Sequence, residues 1–396
     1  MSSSKHYDVI VVGGGVIGSA IAYWLAAEPG FAGRRVLVVE RDFSYRDGST
    51  GRSAGSIRQQ FSTRENIEIS LFGAHFLKNV ADWLAVEGEV PEVGFREKGY
   101  LFLASPAGWP VLQENHALQK ALGADNLLLE SAALQARLPW MNVEDLAGGC
   151  LGLSMEGWFD PFALLQAFRR KARSLGAEYR EDQVTGIATA NGRASGVALA
   201  SGATLSADWV VDAAGPRARE VAALAGLDLP VAPRKRQVFV FDCKAELPGM
   251  PLVIDPSGLY VRPEGSGFIC GIAPKAGEPD PDTLDLEVDW TPFEEVLWPG
   301  LAQRIPAFEA IKPTGAWAGH YSVSLLDHNA ILGPHPELPN FLFANGFSGH
   351  GLQQSPAVGR GIMELIVHGG WRSLDLSRFD YERILRNDPI LERNVV

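Results

Sequence analysis

The residues whose spacing best suits chemistry are glycines. Gly13-Gly14-Gly15-Val16-Ile17-Gly18 is a G-x-G-x-x-G run. Gly13 permits a tight turn, Gly15 lets backbone approach a pyrophosphate, and Gly18 lets a helix pack closely on a strand. Free N–H groups and the positive end of the helix dipole then face the anion. Glu40 stands about twenty residues on, where an acid at a strand end accepts hydrogen bonds from ribose hydroxyls. An acid there argues against the 2′-phosphate of NADP and leaves NAD and FAD. A second glycine cluster, Asn345-Gly346-Phe347-Ser348-Gly349-His350-Gly351-Leu352-Gln353-Gln354, lacks that spacing. It sits at another strand–helix junction, whose positive end suits a developing anion on a flavin ring.

The elements that must position these residues are legible around them. Asp8 to Val12 is short, apolar and β-branched, as a buried parallel strand is. An Ala/Ile/Leu helix runs to about Ala27, and Arg35 to Val39 is a second apolar strand ending at Glu40. A nicotinamide enzyme continues with another βαβ unit at this point. Here a polar loop follows, Ser49 to Arg58, whose small residues and N–H groups suit a larger cofactor. Ser62-Thr63-Arg64-Glu65 predicts a capping box, opening a helix with an apolar stripe at Leu71, Ala74, Leu77, Ala81 and Leu84. Ala207 to Asp212 reads as a strand that ends in Ala213-Ala214-Gly215, small residues where backbone passes close to something. Phe341 to Ala344 is the strand before the last glycine cluster, and Ala357 to Val367 the helix after it. Two glycine-rich junctions, one near each chain end, point to one cofactor spanned by a discontinuous domain.

Composition sets outer bounds. The chain has 396 residues, a prior of two to three domains at ~150 each. It is 46% hydrophobic and 21% charged, which excludes disorder. A net charge of −12 repels phosphate backbones and argues against nucleic acid as a partner. Cys150, Cys243 and Cys270 are odd in number and far apart, so neither a disulfide framework nor a metal site is expected. Unpaired thiols suggest a reducing, cytoplasmic location. The near-apolar run Val16 to Ala27 is far short of the ~20 residues a bilayer needs, so no transmembrane segment is expected. No signal or transit peptide is expected before the first strand.

Seven stretches together resemble the FAD-dependent amine and D-amino-acid oxidoreductase (DAO) superfamily. They are VLVVERD (Val36–Asp42), STGRSAGSIRQQFS (Ser49–Ser62), EGWFDP (Glu156–Pro161), PRKR (Pro233–Arg236), AWAG (Ala316–Gly319), GPHP (Gly333–Pro336) and GFSGHGLQQ (Gly346–Gln354). The likeness runs from about Tyr7 to the C-terminus. It implies an α/β and α+β fold: a discontinuous Rossmann-like FAD-binding domain with an inserted mixed β-sheet substrate domain. The FAD domain would take residues 1–85, 146–232 and 322–370, the substrate domain 86–145 and 233–321, and a C-terminal extension 371–396. Strands are expected at Gln237–Phe241, Gly258–Arg262 and Gly267–Ile272, with an exposed acidic loop at 277–283.

The resemblance also implies roles. Gly13, Gly15, Val16, Ile17, Gly18, Glu40 and Arg41 would hold the ADP half. Ser49, Thr50, Gly51, Arg52, Ser53 and Ala54 would follow the pyrophosphate and ribityl chain. Val184 would offer backbone to adenine or be an ordinary strand valine. Ala213, Ala214 and Gly215 would pass close to the cofactor, and Gly346, Gly349, His350, Gly351, Leu352 and Gln353 would lie along the isoalloxazine edge. Members that tether FAD use a histidine in the loop equivalent to 49–55 or a cysteine near 316–327. Neither type stands in place here, so FAD is expected to be non-covalent.

A carboxylate substrate needs a cation, best the bidentate fork of an arginine. Arg262, two residues after Tyr260, resembles the strand arginine of glycine and D-amino-acid oxidases; the alternative is a surface arginine at a strand end. Arg58 is the second candidate. His350 either assists catalysis or caps its junction. Trp158 and Phe159 are expected in the core, and Asp160-Pro161 at a helix start. Arg234-Lys235-Arg236 is expected as a solvated face, with a substrate entrance as the alternative. Sarcosine oxidases carry one lysine where Gln353 stands and another, which reacts with O₂, near Ile269. The first departure argues against simple sarcosine as the substrate; the second favours a dehydrogenase that passes electrons to a protein or quinone. The expected activity is oxidation of the C–N bond of a small amino-acid-like amine, a secondary amine or D-amino acid. The alternatives are a 2-hydroxy acid dehydrogenase on the same scaffold and an assembly or scaffold protein stabilised by FAD.

Overall fold

The structure is a computed structural model that describes residues 5–275 and 277–393. Two eight-stranded sheets carry it. In the first, the strand order is Ile331–His335, Leu338–Asn345, Thr204–Asp212, Lys5–Val12, Val36–Glu40, Glu178–Glu181, with the hairpin Val184–Ala190 and Arg193–Leu199 joined to Thr204–Asp212. Lys5–Val12 runs parallel to both neighbours, so the strands from the two chain ends lie in one sheet. Their lack of polar alternation has a plain cause. Val9 and Val11 face one core with Ala20, Ile21, Val358 and Ile362, while Ile10 and Val12 face another with Val210, Val221 and Ala222. A strand covered on both faces has no wet side to encode. Helices Val16–Ala27 and Gly351–His368 pack together on the first of those faces, and Trp24 Nε1 donates to the Pro356 carbonyl at 2.9 Å.

The second sheet runs Ile311–Ser324, Val231–Cys243, Gly267–Gly271, Tyr260–Glu264, Leu252–Ile254, Tyr100–Ala104, Gly148–Gly152, Asn126–Glu130. The three strands expected after 233 are present, the first far longer than its apolar centre. Its alternation is what builds a site. Leu101, Leu103, Val253 and Val261 enter a core beneath helix Trp298–Arg304, while Tyr100, Phe102, Ile254 and Tyr260 point the other way, into a cavity. Gly148–Gly152, assigned from sequence to the cofactor-binding part, pairs within this second sheet.

Two local expectations fail. The single helix after Thr63 is two, Arg64–Lys78 and Val80–Leu84, separated at Asn79; Ala81 is exposed, and the buried face is set by Ile67, Ile69, Ala74, Phe76 and Leu77. Nor does the capping box form. Thr63 makes no side-chain cap, and Glu65 pairs with Arg378. The carboxylate of Glu392 arrives instead from the far end of the chain. It accepts from Ser62 N–H and Ser62 Oγ at 2.6 Å, from Asn66 Nδ2 at 2.8 Å, and from Thr63 Oγ1. A non-local acid thus satisfies groups at the helix start that local pattern assigned to its own residues. By contrast Asp160 does cap its helix, accepting from Ala163 N–H at 2.9 Å ahead of Pro161.

Candidate active site

One cavity of about 700 Å³ runs from the glycine loop to the second sheet. At its nucleotide end the backbone does the work. Gly13 has φ +99°, and an added Cβ would sit 2.5 Å from the Ala213 carbonyl oxygen; one on Gly18 would sit 1.9 Å from the Gly13 carbonyl oxygen. Turn and helix therefore close only with hydrogen at both positions. Glu40 accepts from Gly14 N–H at 2.8 Å and from Asp42 N–H at 3.1 Å, so its carboxylate is fixed at the strand end and faces the cavity. Thr50 Oγ1 accepts from Val16 N–H at 3.2 Å, which ties the polar loop to the helix start. Asp212 ends the neighbouring strand and accepts from Ala214 N–H at 3.0 Å. Burial pushes its pKa up to about 8, so a neutral carboxyl stands beside the turn, where an anion would repel phosphate.

The other end is built from side chains of separate segments. Arg58 is buried, 5% exposed, yet lines the cavity. Its guanidinium donates to the Gln60 carbonyl and, at 3.1 Å, to His350 Nε2, and it lies 4.1 Å above the Phe61 ring. Arginine can only donate, so Nε2 accepts and the imidazole is neutral with its proton on Nδ1. Burial, and then the Arg58 charge, push the His350 pKa down to about 3. Gln353 Oε1 accepts from Arg58 N–H at 2.8 Å. Among the described residues no carboxylate forms an ion pair with Arg58. Tyr100, Phe102, Leu252, Ile254, Tyr260 and Tyr321 wall the space around it.

The comparisons with known proteins bear on this geometry. The family described as FAD dependent oxidoreductase matches residues 8–365. The chain belongs to that family. It is similar to FAD-dependent oxidoreductase domain-containing protein 1 of Xenopus laevis, 44% identical over 99% of this chain and 85% of the relative. It is 28% identical to mitochondrial sarcosine dehydrogenase of Homo sapiens, over 94% of this chain and 41% of that one. Among solved structures, L-proline dehydrogenase from P. horikoshii superposes with a TM-score of 0.86 at 27% identity, covering 98% of this chain and 100% of its own.

The cofactor of an FAD dependent oxidoreductase is FAD, and the cavity fits it. The glycine turn leaves no room for side chains, Glu40 faces the cavity from the strand end, and Ser49 Oγ is buried at the lining without a protein partner. Of the residues expected to hold the cofactor, the cavity brings together Gly13, Gly15, Val16, Ile17, Glu40, Arg41, Ser49, Thr50, Arg52, Ser53, Ala54, Val184, Ala213, Ala214, Gly215, Gly349, His350, Gly351, Leu352 and Gln353. Gly18, Gly51 and Gly346 do not line it; Gly18 serves the packing of helix on turn.

Arg262 is the main correction. It lies on the same strand face as Tyr260 but does not line the cavity. Its guanidinium stacks 5.1 Å from the Trp158 ring and donates to the Ala54 carbonyl at 2.5 Å, the Pro263 carbonyl at 2.9 Å and the Glu264 carboxylate. Arg262 is thus neither a carboxylate grip at the cavity nor a surface arginine at a strand end, but a buried arginine taken by the glutamate two residues on. Ile269 is likewise buried away from the lining.

The charge run is a correction of another kind. Arg234, Lys235 and Arg236 are mostly covered, with side chains 17%, 25% and 16% exposed. They pair with Asp280, Asp282 and Asp285, so the acidic loop is strapped across strand Val231–Cys243, with Leu284 and Leu286 against the cavity. Arg236 also lines the cavity, as the alternative reading of the charge run has it; Tyr321 and Phe102 line it too, and nothing local distinguishes those two from core.

Proposed function

We propose that this protein oxidises the C–N bond of an amino-acid-like amine, a secondary amine or D-amino acid, by hydride transfer to non-covalently held FAD, and that it is a dehydrogenase. The observation that carries the reading is Arg58: a buried cation that lines the cavity with no carboxylate partner among the described residues. A desolvated guanidinium is stabilised by an anion in bidentate reach, and a substrate carboxylate provides it. Bound FAD supplies a hydride acceptor and carries the electron pair onward. The protein's part is orientation. Arg58 grips the carboxylate, and the Tyr100, Phe102 and Tyr260 walls exclude water, which favours the neutral amine. The substrate loses hydride from carbon, and water then hydrolyses the imine to a carbonyl compound and an amine.

A 2-hydroxy acid would also need a base for its hydroxyl proton. The nearest imidazole, His350, has its Nε2 lone pair engaged by Arg58 and burial against its protonation, which favours the amine. No lysine of the described residues lines the cavity, and Asp280 neutralises Arg236. With Arg58 taken up by the substrate carboxylate, that supports electron transfer to a protein or quinone over fast reaction with O₂. The names of the relatives, sarcosine dehydrogenase, monomeric sarcosine oxidase and L-proline dehydrogenase, agree with an amine donor. The test is an anaerobic screen of the yellow protein against N-methyl amino acids, proline, D-amino acids and 2-hydroxy acids. Bleaching by an amine is expected; bleaching by hydroxy acids alone, or stable colour with every compound, would sink the reading. Rapid peroxide release with a good amine would overturn the dehydrogenase assignment, and flavin retained on acid-precipitated polypeptide would overturn non-covalent binding.

A further inference from the structure

Glu156 opens the EGWFDP stretch and has no part in the chemistry above, yet it is 1% exposed and points at the segment that carries Arg58. Its Oε1 accepts from Gln59 N–H at 2.6 Å and its Oε2 from Gln60 Nε2 at 2.8 Å. The Gln60 amide also donates to the Tyr100 carbonyl at 3.1 Å, and the Gln60 carbonyl accepts from the Arg58 guanidinium. Gln59 Nε2 is in turn held by the Met155 carbonyl at 2.7 Å. Below the carboxyl the strand Gly148–Gly152 leaves no space: a Cβ on Gly152 would lie 1.9 Å from Glu156 Oε2. A buried carboxyl is therefore wedged under three consecutive residues, with its oxygens spent on the backbone and amide of the two that follow Arg58. No arginine or lysine of the described residues forms an ion pair with it; the Arg58 charge acts on it from beyond contact distance, and its hydrogen bonds go to the segment that carries Arg58.

We propose that Glu156 is a positioning residue for Arg58: acting through Gln59 and Gln60, it fixes the backbone from which the guanidinium enters the cavity and so sets the affinity for a carboxylate. The inference rests on the reading of Arg58 as the carboxylate grip. A buried fork loses most of its selectivity when its supporting shell loosens. Rotation of the 58–60 segment would take Arg58 out of bidentate reach while leaving the glycine turn and polar loop untouched.

The test uses the full-length, FAD-loaded protein and two probes of one shape, benzoate and benzamide, with binding read from the perturbed flavin absorbance. Glu156→Gln is expected to weaken benzoate roughly tenfold and to leave benzamide within about twofold. Gln60→Met, which cuts the same link from its other end, should do likewise and carries the test if Glu156→Gln does not fold. The double variant should be no worse than the weaker single, the mark of one shared path. Equal weakening of both probes would mean a merely structural role and overturn the proposal, as would no weakening of either. Arg58→Gln separates the two readings. If it abolishes benzoate selectivity while Glu156→Gln does not, Glu156 falls and the Arg58 reading stands; if Arg58→Gln leaves benzoate unchanged, both fall.

Discussion

At one end of the cavity the contacts come from backbone: a glycine turn, a helix start, and small residues at the ends of adjacent parallel strands. At the other end they come from side chains, Arg58 and His350 from loops before two helices and Tyr100, Phe102 and Tyr260 from the second sheet. The first end follows from a contiguous stretch, because turn, helix and acid are covalently close. The second exists only after Gln353, Gln60 and Glu156 have been brought together from three regions. A backbone site tolerates change in side chains that point away and no change in glycine; a side-chain site is the reverse.

The largest test of that contrast is Gly18→Ala. The new methyl would meet the Gly13 carbonyl oxygen at 1.9 Å, and neither strand nor helix can withdraw. A cost of about 3 kcal/mol or more, at the upper end of overpacking, should give colourless protein. Full FAD content in that variant would end the distinction between the two ends.

At the side-chain end the paired test is Arg58→Gln against Arg262→Gln. Losing Arg58 should raise the KM for a carboxylate substrate by roughly a hundredfold to a thousandfold, about 3–4 kcal/mol. Losing Arg262, which is spent on Ala54, Pro263 and Glu264, should lower Tm and change KM less than about tenfold. The opposite ranking would restore Arg262 as the grip.

The acid under Arg58 predicts a pH signature. Burial pushes Glu156 from 4.5 up to about 7, so the fold disfavours its ionised form. Below pH 4.5 the group is protonated folded and unfolded and imposes no penalty. As pH rises from 4.5 to about 7 the unfolded chain ionises while the folded group stays protonated, and a penalty on the order of 3 kcal/mol builds up and then levels off. Denaturant unfolding of Glu156→Gln and the parent should therefore show the variant gaining relative stability by about that amount between pH 5 and pH 8. A pH-independent difference would show Glu156 to be ionised throughout.

The smallest effect expected is from Glu392→Ala. Loss of the acid that caps helix Arg64–Lys78 from the chain end should cost about 1 kcal/mol in denaturant unfolding, with KM and FAD content unchanged. A variant as stable as the parent would mean that Ser62 and Thr63 cap the helix unaided, as local pattern predicts.

How far the sequence is legible tracks the same contrast. The glycine loop, Glu40, the polar loop after it and the last junction follow from residue types at short separation, because their geometry is local. The helix at Asp160-Pro161 is legible for the same reason. The capping box at Ser62 to Glu65 is equally local in form and yet is replaced by Glu392, and the basic run at 234–236 takes its partners from an acidic loop some fifty residues on. Arg262 and Arg58 are alike in the sequence as candidate carboxylate-binding arginines. Only the placement of Glu264 and Ala54 on one, and the absence of a described carboxylate in ion-pair contact with the other, tells them apart.

The amino-acid sequence by itself marks two glycine-rich strand–helix junctions and fits the first to a dinucleotide, because a turn without side chains and a helix start need nothing from elsewhere; that the two junctions share a sheet is seen only in the structure. Which arginine faces the cavity, what holds it there and how Glu156 comes to lie beneath it are decided by tertiary structure alone. Burial and the supply of counter-charges are properties of neighbours in space, and chain order does not encode them.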